Sequence, residues 1–327
     1  MEPFALDVVG VGNAIVDVIA TTDDRFLAEH GMSKGSMMLV DQARAEAIYA
    51  KMGAALIASG GSAANTIAGI ASFGGKTGFI GKVRDDELGH AFRHDITAAG
   101  TLFPTPPATE GPATATCLVL VTPDSQRTLN TYLGACANLA AEDLDAGLIR
   151  AARFTYLEGY LYDAPSAQNA FHEASVIAHA ARRRVALTLS DPFCVKRHRD
   201  AFLQLVDRHV DVLFANQFEI GALFETDRRD EIVGRLRAST DLAAVTYGAA
   251  GSLIVTPDDV VEIPAAPVAK VVDTTGAGDL YAAGFLFGLT RDMPLSACGR
   301  LGSLAAAEII GHFGARPQSD LRVLVSA

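Results

Sequence analysis

The sequence holds 327 residues, half of them apolar and none tryptophan, enough to bury most of its unfolded surface in one large α/β domain or two ordinary ones. Its 27 Lys and Arg stand against 38 Asp and Glu, and a net charge of −11 argues against a nucleic-acid or anionic-membrane partner. Cys117, Cys136, Cys194 and Cys298 lie far apart with no Cys-x-x-Cys pair, which suits a reducing compartment and supplies no zinc or disulfide framework.

The first 24 residues are apolar but carry Asp7 and Asp17 and no basic run, so a signal peptide is not expected. No run reaches transmembrane length, and the expectation is a soluble cytoplasmic protein. Residues 6–11 and 15–20 read as two β-rich runs around Gly12-Asn13. Gly10-Val11-Gly12 opens like a dinucleotide fingerprint, but Ile15 stands where its third glycine belongs and no helix follows, so a Rossmann site is rejected.

A short helix over 24–30, a strand over 37–40, a helix over 42–52 and a short buried strand over 56–58 follow. Ser59-Gly60-Gly61-Ser62-Ala63-Ala64-Asn65-Thr66 then opens a helix of small residues that stops at Gly74-Gly75. Gly74-Gly75-Lys76-Thr77 ends like a Walker A loop, yet Ile70 replaces its first glycine and the order is helix, turn, strand. No phosphate loop of that type is expected. Residues 79–83 read as a strand and 85–99 as an amphipathic helix, where His90 and His94 have metal-pair spacing but no third ligand and read as a solvated face. The Pro- and Thr-rich stretch 101–112 reads as loop. Residues 114–122 and 127–133 alternate around Pro123-Asp124-Ser125-Gln126 as an antiparallel hairpin.

From residue 140 helices and strands alternate: helix 142–151, strand 154–157, helix 166–183, strand 185–189, helix 199–207, strand 212–215, a helix from 218, strand 243–246, and helices over 295–310 and 318–324. That rhythm predicts an α/β fold with a doubly wound, mainly parallel sheet flanked by helices. The early strands do not fit it and are assigned to a small β-sheet set apart as a cover. Residues 268–272 read as a strand leading into Asp273-Thr274-Thr275-Gly276-Ala277-Gly278-Asp279, with a helix from about 277. Glycines there leave backbone amides and the helix dipole open to an anion, and Asp279 stands beside it as a base for a hydroxyl proton. A Gly-rich turn with an Asp favouring the dipole explains the same residues without function.

Gly60-Gly61 with Asn65, taken together with the 273–279 stretch, resemble the two signatures of the ribokinase-like (PfkB) family of sugar and nucleoside kinases across nearly the whole chain. The resemblance implies one domain over 1–327, a β-lid from about 14–40 and 101–134, and transfer of the ATP γ-phosphoryl group to a hydroxymethyl oxygen. It implies Asp279 as catalytic base and Gly276, Ala277 and Gly278 as the anion hole. Asn216 and Glu219 match an Asn-x-x-Glu pattern that organises Mg2+ through water, although a helix cap would account for them equally. Thr246, Gly248, Gly251 and Thr275 resemble the nucleotide side. Asp273 and Thr275 are implied as a monovalent-cation site, for which K+ is the candidate.

Asn13 and Asp17 resemble the family's acceptor-hydroxyl ligands, with Gly61, Ser62 and Asn65 completing them. One carboxylate accepting two vicinal hydroxyls suits a ribose. Arg127 on the lid hairpin would close over the phosphates, although an exposed hairpin Arg accounts for it as well. A finer resemblance, through residues 12–17, 26–32 and 127–135, is to the adenosine kinases, where Tyr160, Met37, Met38 and Leu133 would face a base. Leu161 interrupts that group's aromatic pair, so the acceptor stays open between a nucleoside, with adenosine first, and a free sugar of ribokinase or fructokinase type. A sugar- or nucleotide-binding regulator without chemistry is the reading of another class, and whether the chain is a monomer or homodimer stays open.

Overall fold

The computed structural model describes residues 5–124 and 126–326. Among them the larger sheet has nine strands, in the order Val260–Ile263, Ser252–Val255, Leu242–Thr246, Val212–Asn216, Arg184–Thr188, Ala152–Glu158, Leu6–Val11, Thr77–Ile80 and Thr101–Leu102. All neighbours are parallel except at the Ser252–Val255 strand, which is antiparallel to both of its partners. Buried on both faces, these strands alternate between two cores. Val8, Phe154 and Ala186 face the helices Ser62–Ser72, Ala277–Thr290 and Leu295–Ile309, while Val9, Leu157 and Leu187 face Pro165–Ala180 and Arg199–His209. The strand order turns around at Leu6–Val11, whose neighbours on either side come from much later segments. Open α/β sheets form a crevice at the carboxyl ends of strands at such a point.

The smaller sheet runs Met37–Leu39, Arg127–Tyr132, Ala115–Val121, Ile15–Thr21, Leu56–Ser59. Its outer face is closed by the helices Asp24–Glu29 and Gln42–Tyr49 around Val18, Leu27, Ile48 and Leu118. Leu56–Ser59 therefore belongs to the cover, although it lies outside the segments expected to supply it, and Thr101–Leu102 pairs with the larger sheet instead. The 56–58 run is also not buried: as an edge strand it leaves Leu56 65% and Ile57 52% exposed.

The expected strand over 268–272 does not form. Pro264 and Pro267 lack backbone donors, and between and after them the chain bonds to a helix and its C-cap rather than a sheet edge: Ser303 Oγ accepts from Ala266 N (2.9 Å) and the Ile310 carbonyl from Val272 N (2.8 Å). The expected helix over 142–151 is a short 3-10 turn followed by Ala146–Ala151, and that over 318–324 is the 3-10 turn Leu321–Ser326. His90 and His94 are exposed and pair only with Asp85 and Asp95.

Candidate active site

A cleft of about 560 Å³ lies between the smaller sheet and the carboxyl ends of the larger one. Asn13 follows the Leu6–Val11 strand, while Glu158, Thr188, Asn216 and Thr246 end theirs, and all five line the cleft. Asp17, Gly61, Ser62, Asn65, Tyr160, Glu219, Gly248, Thr275, Gly276, Ala277, Gly278 and Asp279 line it too.

Asp279 sits in the first turn of the Ala277–Thr290 helix, and its carboxylate accepts from Ser62 Oγ (2.6 Å) and Asn65 Nδ2 (3.0 Å). Thr66 Oγ1 donates to the Asp279 carbonyl (3.1 Å). Residues more than 200 positions apart are thus fixed on one carboxylate. Burial raises its pKa to about 6 while the Ser62 and Asn65 hydrogen bonds lower it, the range of a base that works near neutrality. Gly276 caps that helix at φ 78°, a left-handed conformation, with a Cβ site only 3.0 Å from Ala315 atoms. Gly278 differs: a methyl added there would meet nothing within 4 Å, so the open space beside it belongs to the cleft.

On the opposite wall Asp17 makes no hydrogen bond to another described side chain, and burial pushes its pKa to about 7, against the lowering fields of Arg316 and Arg127. The Oδ1 atoms of Asn13 and Asn65 are buried without partners. All three residues line the cleft. The sequence reading missed Glu158, whose carboxylate accepts from Asn13 Nδ2 (2.6 Å), Asn13 N (3.3 Å) and Ala63 N (2.8 Å). It pins the Asn13 turn to the start of the Ser62–Ser72 helix, and burial raises its pKa to about 7. A carboxylate ending a mostly apolar, buried strand is the signal that could have found it.

Asn216 and Glu219 form a capping box: Asn216 Oδ1 accepts from Phe218 N (2.8 Å) and Glu219 N (3.0 Å), while Glu219 Oε2 accepts from Asn216 N (2.9 Å). The cap does not exclude a second role, because both residues also line the cleft. Burial raises the Glu219 pKa to about 7, and the charges acting on it, Asp191 and Asp279, are both negative.

Some expected site residues stand elsewhere. Arg127 does not line the cleft; its guanidinium is paired with the buried Asp273 carboxylate, which also accepts from Thr275 N (3.0 Å) and Gly314 N (3.0 Å). Asp273, so satisfied, does not fit a K+ site, since its charge is already matched by a side-chain cation. Gly251 lies behind the cleft in a tight turn, where a Cβ would fall 2.1 Å from the Ile263 carbonyl oxygen. Met38 points away from the cleft because strand alternation sends Met37 and Leu39 inward. Among the described residues no group of three His, Cys, Asp or Glu is placed to hold a metal directly, and no helix is long and apolar enough to cross a membrane.

The pfkB family carbohydrate kinase model matches residues 7–321. An adenosine kinase from Sinorhizobium meliloti is 49% identical, with a TM-score of 0.94 over 98% of each chain. A probable sugar kinase from Rhizobium etli CFN 42 is 45% identical, with a TM-score of 0.95 over 99% of this chain and 98% of that one. Adenosine kinase 2 of Arabidopsis thaliana is 25% identical over 329 residues, covering 93% of this chain and 94% of its own. With its signatures gathered on one cleft and a family model spanning nearly its whole length, this chain belongs to the pfkB family of carbohydrate kinases.

Proposed function

We propose that this kinase transfers the γ-phosphoryl group of ATP to the 5′-hydroxymethyl oxygen of a nucleoside, with adenosine as acceptor and AMP and ADP as products. The observation that carries this reading is the Asp279 carboxylate, held by Ser62 and Asn65 beside the Gly276 and Gly278 amides and lining one cleft with Asp17. Ala277 N, between those amides, donates to the Thr274 carbonyl (3.2 Å). Asp17 accepts the ribose 2′ and 3′ hydroxyls, with the free oxygens of Asn13 and Asn65 beside it. Asp279 takes the proton of the 5′ hydroxyl as its oxygen attacks the γ-phosphorus in line, and the bond to the β,γ-bridging oxygen breaks. The Gly276 and Gly278 amides receive the charge on the transferring group, with Ala277 between them bonded to the Thr274 carbonyl.

Thr246, Gly248 and Thr275 line the nucleotide end of the cleft. The negative field around Glu219 fits a magnesium ion brought with ATP and held through water by Glu219 and Asn216, which would neutralise phosphate charge. Support for a purine comes from the apolar wall of Met37, Leu39, Leu129 and Leu133 with Tyr160, and from the likeness to the Sinorhizobium adenosine kinase. A free sugar, the second reading, draws on the likeness to the Rhizobium probable sugar kinase.

A coupled assay of ADP release with adenosine, inosine, ribose and fructose tests the reading. The expected result is the highest kcat/KM with adenosine. Preference for ribose or fructose would move the protein to the sugar kinases, and no acceptor-dependent ADP release with any of the four would leave the regulator.

A further inference from the structure

Resting on the reading of Asn13 as a ligand of the acceptor's hydroxyls, we propose that Glu158 is its positioning residue. It holds the Asn13 amide in the one orientation that offers the substrate an oxygen, so that this wall of the cleft selects groups that donate. Glu158 is 1% and Asn13 4% exposed, and both line the cleft. Glu158 Oε2 accepts from Ala63 N (2.8 Å) and Asn13 N (3.3 Å), and Oε1 accepts from Asn13 Nδ2 (2.6 Å). All three contacts come from N–H groups, and a carboxylate has nothing to donate. The edge of the Asn13 amide turned to Glu158 must therefore be its NH2.

The other edge of that amide, Oδ1, is buried without a hydrogen-bond partner. Such an oxygen is costly until a donor is brought to it, and a substrate hydroxyl is a donor. Asp17, on the strand that follows, lines the same cleft with a group that when ionised only accepts.

Two of the three donors on Glu158 are backbone amides, one of them in the first turn of the Ser62–Ser72 helix. They fix Oε2, which also leaves no room for a side chain at residue 12, where a Cβ would fall 2.5 Å away. With Oε2 held by the main chain, only the Asn13 side chain can answer a change at Oε1. In Glu158→Gln the oxygen stays with the two backbone amides and the new NH2 meets the NH2 of Asn13. That conflict ends when the Asn13 amide turns over. An NH2 then stands where Oδ1 stood, and a hydroxyl that gave its proton to Oδ1 loses its acceptor.

The test is a double-mutant cycle in the full chain, assayed at pH 8, above the Glu158 pKa of about 7. Asn13→Asp alone sets two carboxylate oxygens against each other. Combined with Glu158→Gln it restores a donor facing an acceptor, returns an oxygen to the free edge and leaves the net charge unchanged. Each single variant should raise KM for adenosine about tenfold, the effect of one hydrogen bond left unmade, with KM for ATP unchanged. The double variant should return to within about threefold of wild type, and melting temperature should follow the same pattern. Losses that add in the double variant overturn the proposal, as they would if Glu158 itself touched the acceptor. A Glu158→Gln variant with wild-type KM for adenosine, or one whose KM for ATP rises equally, does the same. Should Glu158→Gln alone fail to fold, recovery of folding and of KM in the double variant supports the pairing, and failure to recover overturns it. Failure of the nucleoside reading would appear separately, as wild-type protein that prefers ribose or fructose while the melting temperatures still show the double variant rescued.

Discussion

Single residues carry the proposed chemistry, and two of them separate catalysis from folding. Asp279→Asn keeps the shape but not the base, so kcat should fall by about 10²–10⁴ with KM for ATP little changed, as steady-state kinetics would read. Near-normal turnover by that variant would remove the role assigned to the carboxylate. Because burial lifts the Asp279 pKa to about 6, the base we propose is available above that pH and lost below it, and the kcat profile of the wild type should fall on the acid side near pH 6. Gly278→Ala probes the anion site from the other direction. The added methyl touches no protein atom, and Ala favours a helix over Gly by about 0.5–1 kcal/mol, so the melting temperature should hold or rise. The same methyl would stand where the phosphate approaches the amides, and kcat/KM for ATP should drop at least about tenfold, the cost of losing about 1.4 kcal/mol of transition-state binding.

At the scale of elements, the strand Arg127–Tyr132 is tied to the catalytic loop through Arg127 and Asp273, with Gly314 and Thr275 on the same carboxylate. Arg127→Met would leave Asp273 buried and unpaired against two amides, so both stability and turnover should suffer, the latter through a displaced anion hole. Since a guanidinium already matches that charge, exchanging K+ for choline at constant ionic strength should leave wild-type turnover unchanged, and a strong K+ requirement would count against this pairing in the working enzyme. How far the sequence revealed these elements follows from where their partners lie. Asp279, the glycines before it, Asn65 and Asp17 could be singled out because each sits in a local pattern, and the fold brings them to one cleft. Glu158 was not, because a lone buried charge reads like any other until the strand or loop opposite it is known. The 268–272 run misled for the same reason: β-branched residues signal a strand only when a sheet edge is there to receive them. Arg127 lies on the hairpin as expected and pairs with Asp273, a partner that only the tertiary fold brings to it.

Taken as a whole, the molecule concentrates carboxylates in its interior. Asp17, Glu158 and Glu219 have pKa values of about 7 and Asp279 about 6, all above their ordinary range because of burial. The folded chain therefore binds more protons than the unfolded one between the ordinary carboxylate range and neutrality, so stability is fullest at low pH in this window and is lost as pH rises through 6 to 7. Calorimetry of the ligand-free protein should show a higher melting temperature at pH 6 than at pH 8, and a flat profile would mean that these groups titrate as exposed ones do. The helix that begins with Ala277 is buried without interruption from Leu280 to Thr290, whereas the outer face of the smaller sheet rests on its own cluster of seven buried side chains. Amide hydrogen exchange should accordingly be slowest in that helix and fastest around Met37–Leu39 and Leu56–Ser59. On gentle warming the protein would then forget which alcohol it prefers while it still grips its nucleotide.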